Sequence, residues 1–264
     1  MSWTRPALVA IIALAACAIG YAAGGERERM EISERVAEML ADLPAAAEAM
    51  PPHSPAREAI EAGEVDRARE MLSFRPLAEA PVPEGFPSFT PVGLIEVKQY
   101  PAYRKASGPG FWQLFQHIQA EQIPMTAPVE MTRGRASKGD DAGGGPKVDG
   151  RSPMAFLYQN TGVGQTGEAG VVAVTDNEPT VAVSLGVRGK MTSAGVADAT
   201  KRLQAWLAAN PQYRAAGEES VRLFGYNSPM VPANQTYWEA QIVIEAVDAE
   251  PAPSDAAAAE QPTE

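Results

Sequence analysis

Residues 123–131 read Ile-Pro-Met-Thr-Ala-Pro-Val-Glu-Met. Pro124 and Pro128 stand four residues apart, and that spacing rules out a helix. Each proline lacks an amide proton, and each drives its predecessor, Ile123 or Ala127, toward extended geometry. The odd positions 123, 125, 127, 129 and 131 are all apolar, while the even positions hold Pro124, Thr126, Pro128, Glu130 and Thr132. This strict alternation predicts a strand over 125–133 with one buried face and the even side chains turned away from the core. Proline donates nothing to a ladder, so the stretch is expected at a sheet edge, a barrel rim or a bulge. Just upstream, Phe111-Trp112-Gln113-Leu114-Phe115-Gln116-His117-Ile118 reads as a helix, with Phe111, Leu114, Phe115 and Ile118 on one face.

Working outward, further elements fall into a pattern. Val92–Gln99 and Ala102–Ala106 read as strands broken by Pro101. Met154–Gln159, Val171–Thr175, Thr180–Val187, Val221–Asn227 and Trp238–Val247 read as strands. Ser193–Ala209 is a second helix, with Thr192 or Ser193 as its cap and Asn210-Pro211 as its stop. The order strand, strand, helix, strand therefore occurs twice. Neither unit has surface enough to bury its own apolar face. The expected fold is α+β: two pseudo-repeated units forming a distorted antiparallel barrel or sheet, with two helices outside.

The flanks differ in kind. In residues 1–25, Arg5 precedes an uncharged, largely apolar run from Ala7 to Ala23. Three readings stay open: an uncleaved anchor near the lower length limit for a span, a lipoprotein signal acylated at Cys17, and a cleaved signal ending near Ala22-Ala23-Gly24. All three put the folded part outside the cytoplasm, and the membrane anchor is the expectation carried forward. Residues 26–80 are acidic, Ala-rich and helical in pattern, with stripes too thin for a core of their own, which predicts a stalk or helices lying on the domain. Residues 81–91 carry Pro81, Pro83, Pro87 and Pro91 and read as a stiff connector to a domain over 92–248. Residues 134–151 are Gly-rich and read as a flexible insertion, and 249–264 as a disordered acidic tail.

The helix followed by Ile-Pro-Met-Thr-Ala-Pro-Val resembles the SOUL, or haem-binding protein, family. Tyr100-Pro101-Ala102-Tyr103-Arg104 is similar to its opening strand and Tyr226-Asn227-Ser228-Pro229 to its second turn. The resemblance extends from about Gly93 to Ala246. Where that family carries an Arg-Arg-Asn-Glu-like run, this chain has Thr236-Tyr237-Trp238-Glu239, of which Glu239 matches. The resemblance implies a barrel of two related halves, also similar to the effector-binding domains of bacterial regulators, and a haem or related tetrapyrrole as ligand.

The chemistry of the chain narrows the alternatives. A net charge of -11 opposes non-specific nucleic-acid binding. One cysteine, Cys17, and two histidines, His53 and His117, leave no disulfide and no multi-histidine metal site. Gly162-Val163-Gly164-Gln165-Thr166-Gly167 matches a dinucleotide fingerprint, but a strand and not a helix is expected after it, so it reads as a hairpin loop. Asp140-Asp141 lie in the Gly-rich insertion, where no rigid acid–base pair is held. No catalytic constellation emerges, so a non-enzymatic protein is expected. For a haem site the residues singled out are His117 as iron ligand, Phe111, Leu114 and Ile118 as an apolar wall, and Arg104 and Lys105, with Arg222, as partners of the propionates. Apolar capture is the expected mode. The alternatives are a ligand-free envelope interaction module and a tetrapyrrole-modifying enzyme.

Overall fold

The computed structural model describes residues 26–42, 50–132, 154–217 and 221–247. The expectations for the N-terminal segment, the insertion and the tail fall outside them. The described residues form five helices and ten strands. The helices are α1 (Glu26–Asp42), α2 (Pro55–Glu61), α3 (Val65–Ser73), α4 (Phe111–Ala120) and α5 (Ser193–Ala208). The strands are β1 (Ile95–Tyr100), β2 (Tyr103–Gly108), β3 (Val129–Thr132), β4 (Met154–Leu157), β5 (Gly167–Ala169), β6 (Val172–Asn177), β7 (Thr180–Arg188), β8 (Tyr213–Ala215), β9 (Val221–Gly225) and β10 (Tyr237–Ala246).

One antiparallel sheet runs β1-β7-β10-β9-β3-β4-β2-β6-β5, with β8 added beside β10. Leaving out β5 and β8, the order reads the same from both ends when the halves are exchanged. In that exchange β1 answers to β6, β7 to β2, β10 to β4 and β9 to β3. The expected repeat is therefore present, and each unit extends beyond strand, strand, helix, strand by one further strand, β4 in the first and β10 in the second, at the positions where strands were expected. Each half also gives its first strand to the other, since β1 pairs with β7 and β6 with β2. That exchange makes the two halves one cooperative sheet.

β3 sits at the centre of this sheet, paired with β4 on one side and β9 on the other. The expectation of an edge position is corrected here. Pairing starts at Val129, after both prolines, so neither is asked for a ladder hydrogen bond. The face assignment also changes. Val129 and Met131 lie on the helix side as expected, but Thr126 and Glu130 are 3% and 4% exposed. The sheet is covered on both faces: α4 and α5 pack on one, and the chain from Phe86 to Val92 lies on the other. The Thr126 hydroxyl donates to the Leu157 carbonyl. Replacing Thr126 with valine should therefore lower stability by about 1–2 kcal/mol in chemical denaturation, where an outward-facing position would lose almost nothing.

Two apolar layers hold the helices down. Val196, Ala199, Leu203 and Trp206 of α5 pack on Val183, Leu185, Leu223, Trp238, Ala240 and Ile242. Thr192 caps α5, its hydroxyl accepting from the Gly195 amide at 3.1 Å. Leu114 and Ile118 of α4 pack on Ala106, Phe156, Val172 and Val174.

The sequence predicts a stalk or helices lying on the domain, without a core of their own; the N-terminal helices do have such a core. α1, α2 and α3 share a core of Val36, Met39, Leu40, Ala56, Ile60, Val65, Ala68 and Leu72, to which Leu94 at the head of β1 belongs. The helical pattern of this region is broken at Gly63, which takes φ +76° and separates α2 from α3. This bundle is fixed to the sheet domain by the Ala56 amide on the Gly93 carbonyl at 3.0 Å and by Arg188 on Glu70 at 2.6 Å.

Candidate functional site

α4 begins after Gly110 and carries no Asp, Glu, Lys or Arg over its length, Phe-Trp-Gln-Leu-Phe-Gln-His-Ile-Gln-Ala. Its inner face is apolar and docks on β2, β4 and β6. Its N-terminal end is aromatic and outward: Phe111 stacks on Phe115 at 5.8 Å between centroids, and Trp112 is 69% exposed. Its C-terminal end forms one wall of a pocket of about 640 Å³. His117, Glu121 and Ile123 line that wall, Tyr158 and Val174 form the sheet side, and residues 164–169 close the opposite side.

Each pocket element has a local cause. His117 lies three residues beyond Leu114, which turns it to the border of the docked face. Its Nε2 lies 2.8 Å from the Tyr158 Oη. Burial pushes the Tyr158 phenol up to about 12, with the Glu121 charge adding to it, so the phenol is protonated at neutral pH and has a hydrogen to give to Nε2. The loop before β5 is held from below by Arg104. Its Nη1 donates to the carbonyls of Val163 and Gly164 at 3.1 and 2.8 Å, while Nε and Nη2 grip both carboxylate oxygens of Asp176 at 2.7 and 2.9 Å. Those hydrogen bonds from Arg104 hold the Asp176 carboxyl below its usual range.

The residues singled out in the sequence are thus distributed unequally. His117 lines the pocket. Leu114 and Ile118 are 0% and 2% exposed and belong to the core beneath α4, and Phe111 lies at the other end of the helix. Arg104 is committed to Asp176 and the 163–164 loop. Lys105 is paired with Glu130 at 2.7 Å, and Arg222 is buried with Gln241 and the Tyr103 hydroxyl. The pocket residues the sequence did not reveal are Tyr158, Glu121, Val174 and the 164–169 segment. The last overlaps the glycine-rich stretch 162–167 set aside as a hairpin loop; the strand expected after it at Val171–Thr175 is β6, while the short β5 between them was not expected.

Comparison with known proteins bears on what such a pocket is for. The family model described as "SOUL heme-binding protein" matches residues 89–239, more than half of the chain. The chain belongs to the SOUL family. No curated protein sequence matches it. Among solved structures, this SOUL chain is similar to the EcmrR C-terminal domain, at 16% identity and a TM-score of 0.39, covering 58% of this chain and 98% of that one. It is also similar to EcmrR in its complex with DNA, at 15% identity and a TM-score of 0.41, covering 84% and 71% of the two chains. A third is an uncharacterized conserved protein from Listeria innocua, at 11% identity and a TM-score of 0.41, covering 57% and 92%. These likenesses concern fold and nothing else.

Membership in the SOUL family suggests haem or tetrapyrrole binding, and the pocket of this SOUL chain can be tested against that group. Its volume lies within the range of small-molecule sites, roughly 300–1,000 Å³. Ile123, Ala169 and Val174 offer apolar contact to a macrocycle. Glu121 and Glu168 also line it, so the propionates of a haem fit only when turned out to water. Among the described residues no cluster of three or more His, Cys, Asp or Glu side chains is placed to hold a bare metal ion. The lining is mostly polar, with Ile123, Ala169 and Val174 as its aliphatic members, so a macrocycle would find apolar contact along one edge only, with His117 as the one imidazole near it.

Proposed function

We propose that this SOUL protein holds haem or a related tetrapyrrole in the pocket at the C-terminal end of α4, by apolar contact and not by a strong axial bond. The observation that carries this reading is the pocket itself, about 640 Å³ with the domain's single histidine on its wall. Bound haem would supply an iron centre. The chain's own residues supply the rest. Ile123 and Val174 would offer apolar contact to the ring, residues 164–169 would shield it, and the charges of Glu121 and Glu168 would disfavour carboxylates inside the pocket. The His117–Tyr158 hydrogen bond opposes ligation, because Nε2 must part from the phenol before it reaches iron.

Titrating haemin into the full chain, followed by the Soret band and by calorimetry, tests this. Ala169 is exposed on β5 and lines the pocket, so Ala169→Trp should fill it without touching the core and abolish saturable binding. His117→Ala should weaken binding by less than tenfold, about 1.4 kcal/mol. Unchanged affinity in Ala169→Trp would place the ligand elsewhere, and loss of binding in His117→Ala would establish axial ligation.

We also propose that the protein is held at a membrane by Ala7–Ala23, with the sheet domain outside the cytoplasm. Among the described residues no helix is long and apolar enough to cross a membrane, and Ala7–Ala23 lies outside them. The support is the uncharged run itself. The full chain should sediment with membranes and resist carbonate extraction, whereas recovery in the soluble fraction alone would refute the anchor.

A further inference from the structure

The sheet face opposite α4 and α5 is occupied by residues 81–91, and the manner of occupation describes a recognition site. The segment runs extended across strands of both halves and is held through its main chain. The Ala127 amide donates to the Pro81 carbonyl at 2.9 Å and the Glu84 amide to the Gln159 carbonyl at 2.8 Å. The Thr90 amide donates to Glu239 Oε1 at 2.8 Å, and the Tyr237 hydroxyl donates to the Thr90 carbonyl at 2.6 Å. Two side chains anchor it. The Phe86 ring lies 5.1 Å from Tyr100 and 5.4 Å from Tyr103, edge-on to both. The Phe89 ring lies 5.7 Å from Tyr226 and 5.6 Å from Tyr237.

The floor is cut to receive a backbone. β7 turns Ala182, Ser184 and Gly186 toward the segment, and a Cβ on Gly186 would collide with the Thr90 carbonyl. The floor is also polar, unlike a filler layer. Hydrogen bonds run unbroken from Lys105 through Glu130, Tyr103, Arg222 and Gln241 to Glu239, which also holds Lys98 and Ser184. Burial raises the tyrosine phenols on this face, so they stay protonated as donors. Fixed donors and acceptors aimed at a passing main chain, with aromatic seats for alternate side chains, are the ingredients of extended-peptide recognition.

We infer that the groove between the two halves is a binding site for an extended aromatic-Pro-x-aromatic peptide, and that Phe86-Pro87-Ser88-Phe89-Thr90 is its built-in occupant. Glycines at φ +75° and +80°, Gly85 and Gly93, bracket the occupant and give it hinges. Tethering keeps the local concentration of the cis segment high, so an external peptide enters only when the cis anchors are weakened.

The probe is the acetylated and amidated peptide Phe-Pro-Ser-Phe-Thr, titrated calorimetrically into the full chain. The variant Phe86→Ala/Phe89→Ala should bind it saturably, and wild type should bind it at least about tenfold more weakly. Adding Gly186→Ala to the variant should remove binding, because the new Cβ collides with a main chain lying where Thr90 lies. A folded double variant that takes up no peptide, or equal binding by wild type, overturns the inference. Amide exchange in wild type decides independently of whether that variant folds. The Glu84 and Thr90 amides should exchange through a local opening, before those of β7 and β10. Exchange of all of them in a single global step would make the segment a permanent core element and also overturn the inference.

Discussion

Glu239→Ala should destabilise the protein by about 3–5 kcal/mol in denaturant unfolding, the loss associated with removing one partner of a buried ion pair. Glu239 is 0% exposed and Lys98 is 5% exposed, with 2.8 Å between carboxylate and ammonium. Its two oxygens also receive the Thr90 amide, the Ser184 hydroxyl and the Gln241 amide. Alanine leaves the Lys98 ammonium desolvated beside a set of orphaned donors, and water reaches that site only by displacing residues 86–91. Lys98→Met in the same chain should return a large part of the loss, because it removes the stranded charge. A loss below about 1 kcal/mol, the range of an exposed pair, would show that this network is hydrated.

Leu114→Ala should lower stability by about 2–5 kcal/mol, and Leu114→Asp should exceed that, because it places an unpaired carboxylate in the layer between α4 and the sheet. The side chain is 0% exposed and touches the layer formed by Ala106, Phe156, Val172 and Val174. Trp112→Ala, two positions earlier and 69% exposed, should stay within about 0.5 kcal/mol. Thermal melts of the three variants separate the two faces of α4. A well-folded Leu114→Asp protein would mean that this face of α4 is turned to solvent or ligand.

The contrast between Leu114 and His117 shows what was legible. Helical periodicity placed both on or near one face, and it placed them correctly with respect to each other. Periodicity does not say whether an apolar face meets a sheet or a ligand, so Leu114 and Ile118 looked like a ligand wall. The His117 partner, Tyr158, lies 41 residues away, just past the end of β4, beyond any local pattern. The two-fold repeat, both sheet-side helices and the Thr192 cap are local features, and local features were readable.

The reading of 123–131 failed at one point for a physical reason. Alternation was taken as one wet and one dry face, yet both faces of the sheet are covered. The covering on the second face comes from the proline-rich segment 81–91, which composition marks only as a stiff connector. Signs of it were present in two places. Phe86 and Phe89 are unusual in a spacer, and β7 alternates large residues (Val181, Val183, Leu185) with small ones (Ala182, Ser184, Gly186). Small residues along one side of a strand mark the close approach of another backbone. Glu239 gave a similar sign as an acid set between Trp238 and Ala240 in a strand, but its partner Lys98 is 141 residues away.

The central claim is that a tetrapyrrole sits at the C-terminal end of α4 and not between the two halves of the sheet. The most direct test is amide exchange of the full chain with and without saturating haemin. Slower exchange confined to residues 117–123 and 158–169, with residues 81–91 unchanged, is the predicted result. Protection along 81–91 and β10 with none at α4, or no saturable haemin binding at all, would contradict it.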